Sequence, residues 1–414
     1  MKVFLRTLLL TLLAVTLTVP AACSKKREYP AAPAYRPLPN GEFPIVASYA
    51  FYPPYINDRQ FEWVKEAGFN VIRKFLSPSE TDSVLKYASR HGLYVTVAPW
   101  NIRDAANAPG IVRRYKGNPT VWGYSVADEP RASAFGKLAE VMAALDTLDP
   151  ANNGFINLLP TLGNKTLEAD DYEDYVTRFV EEVNPPFLSV DHYPVVTDKQ
   201  GRPYVHEPFY ETMETISKVA RESGRPFWSY IQSEKHGWYP APSLPFLRFQ
   251  VFSALGYGAQ GLSYFTYLAP DFDKGKGEFT LSPIDAEGRR TPTWYMVRQV
   301  NSEVQALSDV FLGAEVVSVG HTGNRPDATS KVKNLPAPFR KIDSKGVGVM
   351  VSHLRNGGSD YVLVVNRDIN APQQVDIRLE GKPVTRIDGS GATSAFGGGK
   401  VEIEPGSYLL FKIS

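Results

Sequence analysis

The sequence has one cysteine, six scattered histidines and almost no excess of charge of either sign. A single cysteine leaves no internal disulfide, so packing must stabilise the fold. The formal net charge of +1 gives no electrostatic reason to expect nucleic acid as a partner. The histidines form neither an HExxH motif nor a clustered spacing, so the sequence predicts no metal site and no other cofactor.

Two further motifs are missing, and each absence removes a class of enzyme. Without a Gly-x-Ser-x-Gly elbow, the sequence gives no support for a serine hydrolase of the α/β-hydrolase type. No glycine-rich phosphate loop follows the first predicted strand, which disfavours a dinucleotide-binding fold. Aromatic residues make up 12% of the 414 residues. Their flat faces suit sugar rings, although core packing is the commoner use.

The N-terminus has a basic start, a short apolar run and then small residues. Lys2 and Arg6 precede the apolar residues 8–19, and Cys23 follows shortly after. This order is typical of a secretory signal peptide over residues 1–22. The apolar run is too short for a comfortable transmembrane span, so we expect export rather than membrane insertion.

Cys23 stands where signal cleavage is expected, and this arrangement resembles a bacterial lipoprotein signal. The resemblance implies lipidation of Cys23 and anchoring to a bacterial membrane, with the outer membrane as the expected site and the protein periplasmic or surface-exposed. Pro20 departs from the lipoprotein pattern, which usually has an aliphatic residue there. A chance cysteine beside an ordinary cleavage site is the alternative. Residues 23–42, which are basic and then rich in Pro and Ala, predict an extended, lipid-anchored linker.

Short apolar runs alternate with amphipathic ones over residues 43–313, which predicts eight βα units and a (β/α)8 barrel. Thr291 and Pro292 are typical of an N-cap and first-turn proline for the last barrel helix. A doubly wound open sheet is the alternative. The eight strands are predicted at 44–50, 70–75, 93–99, 121–127, 154–159, 187–190, 226–232 and 261–267.

The pattern changes after Gly313. Short strand-like runs are separated by turn residues, and no helical period appears, so residues 314–414 predict a small antiparallel β-sandwich. The glycine-rich residues 391–399 predict a loop within it.

The fourth predicted strand ends in two adjacent carboxylates, Asp128 and Glu129, and Pro130 then blocks further strand pairing. Acids at the C-terminal end of a buried barrel strand lie where barrel enzymes keep their chemistry. A pair of solvated turn acids, or a salt bridge from Glu129 to Arg73 or Arg131, is the alternative. We therefore expect Glu129 to be an acid/base catalyst.

A barrel whose fourth strand ends in Asp128-Glu129-Pro130 resembles the large clan of retaining (β/α)8 glycoside hydrolases. Residues 285–300 also resemble the last barrel helix of such enzymes. The resemblance implies that a Glu ending strand four is the acid/base and that a Glu ending strand seven is the nucleophile. Asp128 departs from the clan, in which Asn usually precedes the acid/base, and this puts its contact with the sugar 2-hydroxyl in question.

Glycoside hydrolysis needs a second carboxylate, which lies about 5–5.5 Å from the first in retaining enzymes. Period two along strand seven places Trp228, Tyr230, Gln232 and Glu234 on one face. Glu234 is therefore the expected nucleophile. It could instead be a solvated loop acid, with Gln232 in the nucleophile's place, and the retaining mechanism would then fail.

Other strand ends supply candidate substrate contacts. Each has a plain alternative as a core or rim residue, or, for Arg73, as an ion-pair partner of Glu129. The candidates are Arg73, Trp100, Asp128, Asp191, His192, Tyr193, Gln232 and Tyr267.

These features predict an exported, lipid-anchored glycoside hydrolase that cleaves a poly- or oligosaccharide by a retaining two-carboxylate mechanism. A non-catalytic glycan-binding lipoprotein on a degenerate barrel is the main alternative, because it would keep the aromatic cleft without needing a carboxylate pair. An inverting enzyme or a lyase using the same cleft is a third possibility.

Overall fold

The computed structural model describes residues 27–273 and 275–413. The predicted signal peptide and Cys23 lie outside these ranges. No helix within them combines the length and apolar character needed to cross a membrane.

The first part of the chain alternates strands and helices. The strands are β1 (Ile45–Ser48), β2 (Val71–Phe75), β3 (Tyr94–Ala98), β4 (Val121–Asp128), β5 (Asn153–Asn157), β6 (Leu188–Val190), β7 (Val195–Thr197), β8 (Pro203–Val205), β9 (Phe227–Gln232) and β10 (Leu262–Phe265). The helices are α1 (Asp58–Glu66), α2 (Pro78–Arg90), α3 (Ala108–Tyr115), α4 (Phe135–Leu148), α5 (Asn164–Leu167), α6 (Tyr172–Arg178), α7 (Pro208–Ser223), α8 (Leu244–Gly256), α9 (Pro292–Ala306) and α10 (Ser308–Phe311).

Eight of these strands form one parallel sheet in the order β5-β4-β3-β2-β1-β10-β9-β6. The edges β5 and β6 meet where the Leu158 N–H donates to the Ser189 carbonyl at 2.8 Å, so the sheet closes on itself. The (β/α)8 barrel predicted from the sequence is therefore confirmed. Its last long helix begins as expected, since the Thr291 side chain caps α9 and Pro292 occupies the first turn.

Aromatic side chains fill the base of the barrel, where Trp122 and Trp228 stack with ring centroids 4.9 Å apart. Residues of the predicted linker pack against this base. Leu38 is buried there, and the Trp122 indole N–H donates to the Arg36 carbonyl at 3.0 Å. Burial of these apolar side chains and the pairing of the indole hold the segment on the barrel.

The remaining strands are antiparallel and form the predicted sandwich: β11 (Glu315–His321), β12 (Phe339–Ser344), β13 (Val349–Asn356), β14 (Ser359–Asn366), β15 (Gln373–Leu379), β16 (Val384–Ile387), β17 (Thr393–Phe396), β18 (Gly399–Ile403) and β19 (Tyr408–Lys412). One sheet has the order β11-β13-β14-β19-β16-β17 and the other β12-β15-β18. The loop expected at 391–399 instead contains β17. The sandwich packs on the barrel through α8, where Phe252 stacks on Tyr408.

Candidate active site

Glu129 and Asp191 lie together at the C-terminal mouth of the barrel. Glu129 follows β4 directly and has a left-handed backbone, with φ of +50°, which is uncommon for a residue other than glycine. Its N–H donates to the Asn157 carbonyl at 2.8 Å, which fixes this turn. Asp191 follows β6, and its carboxyl lies beside that of Glu129, close enough for each to affect the pKa of the other. Two neighbouring buried carboxyls ionise together only at a cost, so the pair favours retaining one proton.

The surroundings raise the pKa of both carboxyls. Burial raises the pKa of Glu129, the neighbouring Asp191 carboxyl lowers it, and the charge of Asp128 raises it. Burial also raises the pKa of Asp191 well above its usual range, and the charges of Glu129 and Asp128 add to the effect. The pair therefore releases its last proton at higher pH than isolated carboxyls do.

Arg73 holds the barrel interior beneath this pair. Its side chain is buried, its Nε donates to Ser125 Oγ at 2.9 Å, and it also donates to the Tyr230 hydroxyl. Its ion-pair partner is Asp128, at 3.3 Å from Nη2 to Oδ1. Asn157 donates to the same Asp128 oxygen at 3.2 Å. Arg73 and Asp128, both expected to contact substrate, thus form a polar network under the site.

A cavity of about 430 Å³ opens beside the carboxyl pair. Four of the predicted site residues line it, namely Glu129, Asp191, His192 and Tyr193. His192 Nδ1 lies 2.8 Å from Thr212 Oγ1, and burial together with the nearby His206 lowers the pKa of His192 to about 3. His192 is therefore neutral at physiological pH and serves as a hydrogen-bonding wall residue.

Glu234, the expected nucleophile, is fully buried. Its Oε1 lies 2.6 Å from Nδ1 of His236, and its Oε2 has no hydrogen-bond partner among the described residues. Burial raises the pKa of this carboxyl, whereas the hydrogen bond and charge of His236 lower it. The carboxyl beside Glu129 is that of Asp191, which the sequence predicts as a substrate contact.

Three other predicted contacts lie elsewhere. Gln232 is buried beneath the following loop, where its Nε2 donates to the Glu234 and Pro240 carbonyls. Tyr267 is fully buried in the core, so the expectation that it lines the pocket is corrected. Trp100 is 66% exposed on the rim and stacks on Phe75 with centroids 4.9 Å apart.

Comparisons with known proteins add the following. No protein-family model matches the chain, and the search of curated proteins found no match. Among solved structures, the chain is similar to a β-galactosidase from the psychrophilic Marinomonas ef1 at 10% identity and a TM-score of 0.49, covering 64% of this chain and 60% of that one. It is also similar to a glucosidase from Croceicoccus marinus at 11% identity and a TM-score of 0.45, covering 94% of this chain and 98% of that one. A third similar structure is xylanase 10B from Thermotoga maritima, at 9% identity and a TM-score of 0.45, covering 64% of this chain and 97% of that one.

These structural neighbours are glycoside hydrolases. The identities and TM-scores are too low to assign an activity or a catalytic residue to this chain. The site must therefore be judged on its own geometry.

Several wall residues of the cavity were missed from the sequence. They come from the β7–β8 hairpin, which follows Asp191, and from the loop after β9, namely Val196, Thr197, Tyr204, His206, Trp238 and Tyr239. Trp238 is 66% exposed. A Gly-Trp-Tyr-Pro sequence in the loop that follows a barrel strand is the signal that could have pointed to this wall, because such loops form the mouth. Among the described residues, no group of three or more His, Cys, Asp or Glu is placed to hold a metal ion.

Proposed function

We propose that this protein is a glycoside hydrolase that cleaves O-glycosidic bonds of a poly- or oligosaccharide, with Glu129 as the proton donor. One observation carries the proposal: two neighbouring carboxyls with raised pKa values line a cavity walled by exposed aromatic rings. A carboxyl that stays protonated can donate to a leaving oxygen. Aromatic faces beside it suit the apolar faces of sugar rings.

In the first step, Glu129 transfers its proton to the glycosidic oxygen as the bond to the anomeric carbon breaks. Asp191 lies beside Glu129, and the charges of these two neighbouring carboxyls oppose the loss of the last proton from the pair. In a retaining enzyme, the Glu129 carboxylate would then take a proton from the water that attacks the glycosyl intermediate. Arg73 and Asp128 support the strand ends from below.

Glu234 remains our proposed nucleophile, through Oε2, since His236 occupies Oε1. This role requires the carboxylate to reach the anomeric carbon, and in the structure it is fully buried. The same burial favours a second candidate, a non-catalytic glycan-binding protein. That protein would use the aromatic cavity without a second carboxylate.

The deciding experiment is hydrolysis of an aryl-glycoside and polysaccharide panel by the wild type and three variants. We expect Glu129→Gln and Glu234→Ala each to lose activity, with azide restoring Glu234→Ala and giving a glycosyl azide of inverted configuration. Glu211→Gln, which changes an exposed glutamate of α7, is the control and should stay active. A Glu234→Ala variant with normal activity would move the nucleophile elsewhere. A wild type that binds sugars but cleaves none would favour the glycan-binding candidate.

We further propose that the protein is exported and lipid-anchored through Cys23. The order of residues before Cys23 supports this. Metabolic labelling with palmitate should mark the wild type and not Cys23→Ser, and Cys23→Ser should leave the membrane fraction. Equal labelling of both proteins would contradict the anchor.

A further inference from the structure

A second cavity, of about 570 Å³, lies between the β7–β8 hairpin of the barrel and the sandwich. Tyr204 and His206 line both this cavity and the one beside Glu129. The two spaces therefore adjoin each other along these two residues.

The lining of the second cavity combines an aromatic ring with hydrogen-bonding groups. The Tyr204 side chain is 43% exposed, and Asn324 and Asn370 of the sandwich are exposed at the opposite side. An exposed ring with convergent amide groups suits a sugar, whose apolar face stacks and whose hydroxyls both donate and accept.

The charges in this cavity favour a neutral ligand. Among the described residues that line it, the one lysine or arginine is Arg367, which is buried and whose Nη2 donates to the carbonyls of Thr322 at 2.8 Å and Asn324 at 3.0 Å. Its guanidinium is thus engaged by the protein. Glu207 and Asp368 add negative charge, which disfavours an acidic sugar.

Hydrogen bonds make this wall continuous with the catalytic cavity. Asn370 Nδ2 donates to the Pro203 carbonyl at 2.9 Å, so the sandwich contacts the hairpin. On the paired strand, opposite Pro203, the Thr197 N–H and hydroxyl both donate to the Trp238 carbonyl at 2.9 Å. The sandwich, the hairpin and the exposed tryptophan are thereby linked, and the second cavity is formed before any ligand arrives.

We propose that the cavity between the hairpin and the sandwich is a distal subsite that binds a neutral sugar unit of the same saccharide chain that enters the catalytic cavity. This inference rests on the proposed carbohydrate substrate. It makes the sandwich part of the binding site, and it makes a chain of several units a better substrate than a single glycoside.

The test uses the full chain and blocks the subsite from the sandwich side. Val347 is 39% exposed and lines only the second cavity, so Val347→Trp should fill it. Val317→Trp, at a β11 valine that is 43% exposed, is the matched control. In native gels containing galactomannan, xyloglucan or arabinoxylan, we expect Val347→Trp in the Glu129→Gln background to bind about tenfold more weakly than the control. We also expect kcat/KM for the polymer to fall about tenfold while that for an aryl monoglycoside is unchanged.

Equal polymer binding and cleavage by Val347→Trp and Val317→Trp would overturn the subsite. An equal loss of kcat/KM on the polymer and on the monoglycoside in Val347→Trp would also overturn the subsite, because the effect would then lie in the catalytic cavity. A wild type that binds a polymer, loses this binding in Val347→Trp and cleaves no substrate would overturn the hydrolase and support the subsite. A wild type that neither binds nor cleaves any of these sugars would overturn both.

Discussion

Asp191→Asn tests whether the carboxyl pair at the barrel mouth holds a shared proton. The second ionisation of the pair places two negative charges on neighbouring groups. Two unit charges ~4 Å apart repel by ~1 kcal/mol in water and by ~4 kcal/mol at an effective dielectric constant of about 20. This repulsion is one cause of the raised pKa of Asp191.

An asparagine removes the second titrating carboxyl, so the ionisation that the charge of Glu129 raises is lost, and its amide can donate to the Glu129 carboxylate. The site then loses its last proton at lower pH. We expect the alkaline limb of the kcat/KM profile to move to lower pH, with activity at neutral pH falling accordingly. Titration of carbon-13-labelled side-chain carboxyls gives the same pKa without a substrate.

The control is Asp170→Asn, which alters an exposed carboxylate and should leave the profile unchanged. An alkaline limb at the wild-type pH in Asp191→Asn, with an unchanged carboxyl titration, would refute the shared proton.

The same variant has a consequence for stability. Burial raises the pKa of Asp191 above its unfolded value, so the folded protein retains a proton that the unfolded chain releases. The stability that protonation of Asp191 contributes to the wild type is therefore fully present below pH ~3.9. This contribution falls as pH rises toward the folded pKa. Asparagine does not titrate, so the Tm of Asp191→Asn minus that of the wild type should become more positive from pH ~4 upward. Thermal denaturation across pH 4–9 measures this, and a constant difference would contradict it.

Two further pairs of variants test the cavity wall and the domain contact. Trp238→Ala should raise KM about tenfold with kcat and Tm unchanged, because the exposed Trp238 side chain lines the cavity. Trp100 is equally exposed but lies on the rim, so Trp100→Ala should raise KM less. Steady-state kinetics measure both, and the reverse order of KM values would contradict this prediction. Gly406→Ala places a Cβ 2.2 Å from the Pro245 carbonyl of α8. It should lower the free energy of unfolding by ~1–3 kcal/mol more than Gly357→Ala does, because Gly357 has a similar positive φ but open space around it among the described residues. Equal losses in denaturant unfolding would count against the packing of the sandwich on the barrel.

The barrel was predictable because its strands are short apolar runs that alternate with amphipathic helices along the chain. The β7–β8 hairpin was not, because Val195–Thr197 and Pro203–Val205 are short and include a proline. Its stability comes from distant partners, the Trp238 carbonyl and Asn370 of the sandwich. Contacts of that kind leave no local pattern in the sequence.

The site was predictable only in part, for a related reason. Glu129, Asp191, His192 and Tyr193 follow parallel strands, whose carboxyl ends meet at one mouth, so their proximity follows from the topology. The placement of Glu234 depends on its contact with His236 and on the loop that covers it. The two-residue period along β9 does not predict either of these contacts. That covering loop is a tertiary feature, and it decides which acids share the cavity.

The departure at Asp128 from the clan pattern fits the charge balance of the mouth. Arg73 is buried below the carboxyl pair, and an unopposed guanidinium there would favour the ionised pair and remove its proton. Asp128 forms the ion pair that opposes this charge, and its own charge raises the pKa of both Glu129 and Asp191. An asparagine at this position could donate a hydrogen bond but could not neutralise Arg73. The aspartate next to the proposed donor is therefore part of what keeps the donor protonated.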